Sequence, residues 1–198
     1  SFFLGLEILS VALYGLSAYL ANYRRSVEAG IKYLILAGSS SAFLLFGMAL
    51  LYAQLGTMEL ARIATLVITI PNSPLILVGF VLIITGIGFK LGVVPFHLWM
   101  PDVYEGAPAP VTAFIATVSK GAIFALLLRY FYSSGAQSMR PVFVVFAIVA
   151  IASMIVGNLL ALLQNNVKRI LAYSSIAHMG YLLVAFEAGG SMASRAIA

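Results

Sequence analysis

The chain has 198 residues, 63% of them hydrophobic and only 9% charged, with a mean hydropathy of +1.08; soluble domains carry roughly 45 to 50% apolar and about 25% charged residues. That balance excludes an ordinary water-soluble domain and indicates an integral membrane protein. The net charge of +5 and pI near 9.6 do not indicate nucleic-acid binding, because the basic residues are scattered at segment ends and form no cluster. No cysteine is present, which excludes disulfides, thiolate ligation of iron–sulfur clusters and a cysteine nucleophile.

A helix needs about 20 mostly apolar residues to cross a hydrocarbon core of roughly 30 Å. Six stretches come close to that, at about 1–21, 31–54, 75–99, 110–132, 142–163 and 171–188. The first contains Glu7, followed by Ser10, Tyr14 and Ser17 on the same helical face. It is not a secretory signal, since Glu7 interrupts it and Arg24 and Arg25 follow instead of preceding it. After the second stretch, Leu60, Ile63, Ala64, Val67 and Ile68 recur at helical spacing opposite Glu59 and Arg62, which predicts a short interfacial helix over 58–70. Pro71-Asn72-Ser73-Pro74 ends it and starts the third crossing.

That third stretch runs into FKLGVVPFHLWMPD, where Lys90, Pro95 and His97 interrupt an otherwise apolar helix. Pro95 cannot donate to the carbonyl of Leu91 and disfavours helical geometry just before it, so a bend or break is expected beside Lys90, in a stretch weakened further by Gly86, Gly88 and Gly92. Broken helices at membrane depth line polar cavities and mark ion sites; a packing kink is the structural alternative. Asp102 and Glu105 in MPDVYEGAPAP read as surface or interface groups on a rigid turn. The fourth stretch carries Lys120 at its middle. The sixth carries His178, with Ser174, Ser175 and Tyr181 nearby on its helix as a candidate hydrogen-bonded wire. Lys168-Arg169 reads as a headgroup anchor.

Alternation places Arg24, Arg25, Lys32, Lys168 and Arg169 on one side and Arg62, Arg129, Arg140 and Arg195 on the other, a weak vote for the first side being cytoplasmic. Lipid excludes open sheet edges. The expected fold is therefore an all-α polytopic transmembrane bundle with one discontinuous helix, and residues 1–198 form one transmembrane domain. The chain opens on Ser1 and closes on Ala198 beside apolar runs, so it is expected to be a piece of a longer polypeptide.

An ionised side chain at mid-bilayer costs about 2.5 to 3.5 kcal/mol on insertion scales, so such residues face a bundle interior and serve a function. Lys120 lies some ten residues, about 15 Å, from either end of its segment and cannot snorkel out. Lys90 lies near the centre of the third segment. A buried lysine whose carboxylate partner can approach or withdraw is a proton site of adjustable affinity, and Glu7 is the candidate partner. A static Glu7–Lys90 ion pair that fixes helix register is the structural alternative. His97 titrates near neutral pH and can pass protons between the two lysines, although a lone histidine at a helix end is often structural. No phosphate-binding loop, dinucleotide fingerprint or metal-ligand motif is visible, so nucleotide, flavin or metal chemistry belongs elsewhere.

The stretch GFKLGVVPFHLWMPDVYEGAPAPVTAFIATVSK, with GLEILS, RSVEAGIKYLIL, FGMALLYAQ and NVKRILAYSSIAHMGYLLVAF, resembles the proton-translocating membrane subunits of NADH:quinone oxidoreductase, respiratory complex I. Within that family it is most similar to the bacterial subunit N group, the counterpart of mitochondrial subunit 2. The resemblance covers essentially the whole chain. It implies an antiporter-like fold of about fourteen helices in two inverted repeats, of which the six segments here correspond to the fifth through tenth. The family's essential glutamate falls on Glu7, its broken-helix lysine on Lys90, the next helix's lysine on Lys120, and the histidine after the break on His97. A further lysine on the exit side falls beyond Ala198.

The resemblance also implies a bacterial inner-membrane location, with the Arg24–Arg25 loop cytoplasmic. Expected partners are the other membrane-arm and peripheral-arm subunits, the lipid bilayer and protons, with quinone engaged only through the complex. No cofactor is expected in this chain; FMN and iron–sulfur clusters are expected in partner subunits. Two alternatives stay open: a subunit of a multisubunit cation/proton antiporter, and a non-pumping structural scaffold.

Overall fold

The computed structural model describes residues 2–20, 22–70, 73–136 and 139–188, and every element described is helical. Pro71, Asn72, Arg195 and the C-terminal residues of the sequence analysis lie outside the described residues. The helices are α1 (Phe2–Ser17), α2 (Arg24–Leu55), α3 (Leu60–Thr69), α4 (Pro74–Leu91), α5 (Trp99–Gly106), α6 (Ala109–Phe114), α7 (Lys120–Ser134), α8 (Arg140–Leu162) and α9 (Val167–Ala188). A single π-helical turn, Ile115–Ser119, joins α6 to α7 into one continuous rod.

Five of these units are long and apolar enough to cross a membrane: α2, α4, the α6–α7 rod, α8 and α9. Helix α1, expected as a sixth, is 16 residues long. Helix α2 has 32 residues, about 48 Å at 1.5 Å per residue, and so outruns a hydrocarbon core of about 30 Å. Its first two turns, which hold Arg25 and Glu28, extend the helix ahead of the predicted span 31–54.

Apolar side chains cover the outside of the bundle as well as its core. Aliphatic side chains such as Ile8, Leu45, Ile68, Ile148 and Leu162 point outward, while Ser10, Ser26, Ser40, Ser119 and Ser153 are buried. Lipid accepts the aliphatic face, and small hydroxyls let helices approach closely and bond across the interface. Ser26 donates to the Ser17 carbonyl (2.8 Å), which closes the end of α1 onto the start of α2. Gly86 lies so close to α2 that a Cβ there would sit 2.9 Å from the Ser40 carbonyl, and Ser40 donates to the Gly86 carbonyl (2.9 Å). The short helix predicted over 58–70 exists as α3, with Ile63 and Val67 buried and Ile68 outward.

The discontinuous helix is present and breaks beside Lys90 as expected, but the residue that closes it is Gly92, with Pro95 further along. Helix α4 stops at Leu91, three residues short of the Val94–Pro95 bond, which is cis. Gly92 takes the left-handed conformation (φ 68°). The Gly92 amide donates to the Phe89 carbonyl and the Val93 amide to the Gly88 carbonyl, both at 3.1 Å. This paired closure of a helix end requires a positive φ that glycine adopts freely. Pro95 lies in the connecting loop, so the predicted span 75–99 is really α4, a loop over 92–98, and the half-helix α5. The loop is tied down at both sides. The Val94 amide donates to Ser153 Oγ on α8 (3.0 Å), and Trp99 Nε1 donates to the Phe89 carbonyl in the last turn of α4 (3.0 Å), a second donor there beside the Gly92 amide.

Candidate functional site

Glu7 on α1, Ser41 on α2 and Lys90 in the last turn of α4 meet inside the bundle. Lys90 Nζ lies 3.5 Å from Glu7 Oε1 and 2.7 Å from Ser10 Oγ. Ser10 in turn donates to the Leu6 carbonyl (2.9 Å), and Ser41 donates to Glu7 Oε1. Lys90 is 7% exposed, while the Glu7 side chain keeps 30% exposure. The shorter lysine contact is thus to a hydroxyl, and the carboxylate stands one step off. Of the predicted polar stripe on α1, Ser10 reaches the lysine; the Ser17 hydroxyl is buried with no described partner.

Lys120 is the first residue of α7 after the π turn and is 3% exposed. A π turn carries one extra residue per helical ring and re-aims the side chains beside it, which is why such turns gather at functional positions. Lys120 Nζ donates to Ser175 Oγ on α9 (2.6 Å) and lies 3.2 Å from Met100 Sδ on α5. One flank opens on a groove of about 560 Å³ between the α6–α7 rod and α9, lined by Thr117, Lys120, Lys168, Ser174, Ser175 and His178.

His97 sits in the loop of the break, 7% exposed, with its ring 6.5 Å from Tyr173. Neither imidazole nitrogen makes a well-formed hydrogen bond with the described residues; the Pro95 carbonyl offers a weak contact only. Buried polar nitrogens left in this way are costly unless a partner reaches them in some state. His178 is exposed on the same groove as Lys120, and its ring lies 6.2 Å from that of Tyr181. The proposed α9 wire is divided among other partners, since Ser175 receives Lys120 and Tyr181 receives Asn158 (3.1 Å).

Asp102 and Glu105 are helical residues of α5, not members of a turn, and Arg169 is an ion-pair partner before it is a headgroup anchor. Asp102 accepts from Lys32 Nζ (2.6 Å) and Arg169 Nη1 (2.8 Å); Glu105 accepts from Arg25 Nη1 (2.7 Å) and Arg169 Nη1 (3.1 Å). Lys168 Nζ donates to the Ala107 carbonyl at the end of α5 (2.8 Å), where a cation also suits the helix dipole. The half-helix after the break is therefore clamped to α2 and α9 by charge. Partial burial raises the Asp102 carboxyl, and the bonds and charges of Lys32 and Arg169 more than reverse this, holding it below its ordinary value. A depressed folded-state value stabilises the clamp above the ordinary aspartate pKa of about 3.9 and loses that contribution as pH falls through the lower value. Thermal unfolding of the detergent-solubilised protein should thus show a drop in Tm from pH 6 to pH about 3 that Asp102→Asn diminishes. An equal drop in the variant would remove Asp102 from the explanation.

Sequence reasoning did not single out Ser41, Met100 or Ser153. Their partners lie 34, 20 and 59 residues away in the chain, and no periodicity signals such pairs.

The family description "NADH:quinone oxidoreductase/Mrp antiporter, TM" matches residues 1–198. The chain is 60% identical over 187 residues to NADH-quinone oxidoreductase subunit N of Nitrosospira multiformis, covering 93% of the chain and 37% of that protein. It is 54% identical over 189 residues to the subunit N of Methylococcus capsulatus, covering 96% and 38%. It thus spans less than two fifths of the length of these relatives. Among solved structures, respiratory complex I from Thermus thermophilus with bound aureothin contains a chain of TM-score 0.78 and 39% identity, matched over 93% of this chain and 39% of that one. The Mrp complex from Dietzia sp. gives a TM-score of 0.83 at 24% identity, over 94% and 35%, a likeness of fold alone. Matched along its entire length, the chain belongs to the NADH:quinone oxidoreductase/Mrp antiporter transmembrane family.

Proposed function

We propose that residues 1–198 are one transmembrane domain of a larger, antiporter-like, proton-translocating membrane-arm subunit of NADH:quinone oxidoreductase in the bacterial inner membrane. Glu7, Lys90, His97 and Lys120 act in it as a proton relay. The observation that carries this reading is the Glu7–Ser10–Lys90 cluster beside a helix break. A buried ammonium held by a hydroxyl, with its carboxylate at 3.5 Å, is poised between pairing and release. When Glu7 closes on Lys90 the proton is held; when it withdraws, desolvation favours the neutral amine and the proton leaves toward Lys120.

The redox chemistry belongs to partner subunits that carry FMN and iron–sulfur clusters, and this chain supplies charge movement. Identity of 54% and 60% to subunit N proteins favours this assignment over an Mrp-type antiporter subunit. Copurification with flavin and iron–sulfur subunits distinguishes the two, since an antiporter shows sodium-dependent exchange without them.

In the assembled complex in vesicles, Glu7→Gln keeps a hydrogen-bonding side chain for Ser41 and removes the charge facing Lys90. Opposite charges about 4 Å apart interact by about 1 to 4 kcal/mol at effective dielectrics between water and a protein surface, so NADH-driven acidification is expected to fall about tenfold or more. Glu7→Asp should retain part of it. Unchanged acidification in Glu7→Gln would remove Glu7 from the relay.

A further inference from the structure

Among the described residues, no hydrogen bond joins the Glu7–Ser10–Lys90 cluster to the Lys120–Ser175 pair. One buried side chain reaches from the end of α4, two residues past Lys90, to Lys120. Met100 is fully buried (0% exposed). Its methyl end covers Gly92, two residues past Lys90, so closely that a Cβ at position 92 would lie 1.8 Å from Cε. Its sulfur is 3.2 Å from Lys120 Nζ. We propose that Met100 is the barrier between the Lys90 end of the relay and Lys120, so that a proton passes only when this side chain swings aside. The inference rests on the relay reading above and adds to it the residue that prevents free passage.

The chemistry of the thioether suits that task. It has no proton to give and accepts only weakly, so it cannot hand a proton from the Lys90 ammonium to a neutral Lys120 amine. Methionine is also unbranched with three rotatable bonds, so it can vacate the gap without backbone movement. The backbone under it is fixed. One end of α5 is bound through Trp99 to the end of α4, and the other through Asp102 and Glu105 to α2 and α9. These ties favour movement of the side chain over movement of the backbone.

The test uses the full-length subunit in the assembled complex, reconstituted in vesicles and driven by NADH and a water-soluble quinone. Met100→Ala should oxidise NADH yet fail to hold a pH gradient, because protons return through the opened passage, whereas Met100→Leu, which keeps apolar bulk, should hold one. Met100→Gln, close in length but hydrogen-bonding, carries the same expectation as the alanine variant should the latter not assemble. A wild-type gradient in Met100→Ala or Met100→Gln would overturn the barrier, as would a loss in Met100→Leu as severe as in alanine. Lys120→Met separates the two levels of the account. If it pumps normally, the relay reading itself fails; if it does not pump while Met100→Ala holds its gradient, the barrier alone fails.

Discussion

Lys90→Ala is expected to abolish proton translocation by the assembled complex and to depress quinone reduction coupled to it, while the complex still assembles. The amine is the group that Glu7 and Ser10 converge on, so its removal takes away the protonatable site and leaves its neighbours in place. Glu7 is left without its cation, but its side chain keeps 30% exposure and its bond from Ser41. It therefore escapes the full penalty of about 3 to 5 kcal/mol for stranding one partner of a buried pair. Acidification driven by NADH in vesicles, normalised to assembled complex, reads the result. A merely structural lysine would give the opposite pattern: normal acidification with no loss, or even a gain, of thermal stability.

The second large effect is expected at Gly92. Its φ of 68° costs a residue with a Cβ about 1 to 2 kcal/mol, and a new Cβ there also meets the Met100 methyl. Overpacking adds typically about 1 to 3 kcal/mol. Met100 has a flexible end and can yield, but only by leaving its place against Lys120. Gly92→Ala should therefore lower the Tm of the purified complex and weaken its pH gradient together. Gly92→Asn tolerates the left-handed conformation better, yet carries the same Cβ. It should recover part of the stability without recovering the gradient. Wild-type Tm in Gly92→Ala would contradict the role assigned to this residue in ending α4.

Much of this molecule was legible in its sequence because lipid allows few choices. Apolar runs of about 20 residues can only be helices there, and Glu7, Lys90 and Lys120 stood out because charge in such runs is costly. The place of the break, beside Lys90, was legible, but its cause was only half so: proline is the visible helix breaker, whereas the helix closes at Gly92 through two backbone bonds and a positive φ before the chain reaches Pro95. Asp102 and Glu105 looked like turn residues because their partners Arg25, Lys32 and Arg169 lie between 64 and 80 residues away. The π turn ahead of Lys120 left no mark in IATVS, which reads as ordinary helix. Met100 was hidden for a related reason: in an apolar chain one more buried methionine carries no signal until its neighbours are known.

Ser10 and Ser41 show the same division. Serine spacing on α1 pointed to a polar face, and the structure makes one of those hydroxyls the close partner of Lys90. Ser41 sits in Gly38-Ser39-Ser40-Ser41-Ala42, small residues of the kind that let membrane helices pack closely. Only the fold reveals that this run also places a hydroxyl on the Glu7 carboxylate.

A working relay requires Lys90 and Lys120 to change protonation during turnover. Infrared difference spectra of the assembled complex, taken on reduction by NADH with isotope-labelled lysine, read this change. Label-sensitive ammonium bands should appear with turnover and be lost stepwise in Lys90→Ala and Lys120→Met. Spectra with no label-sensitive change, or with one that survives in both variants, would contradict the relay.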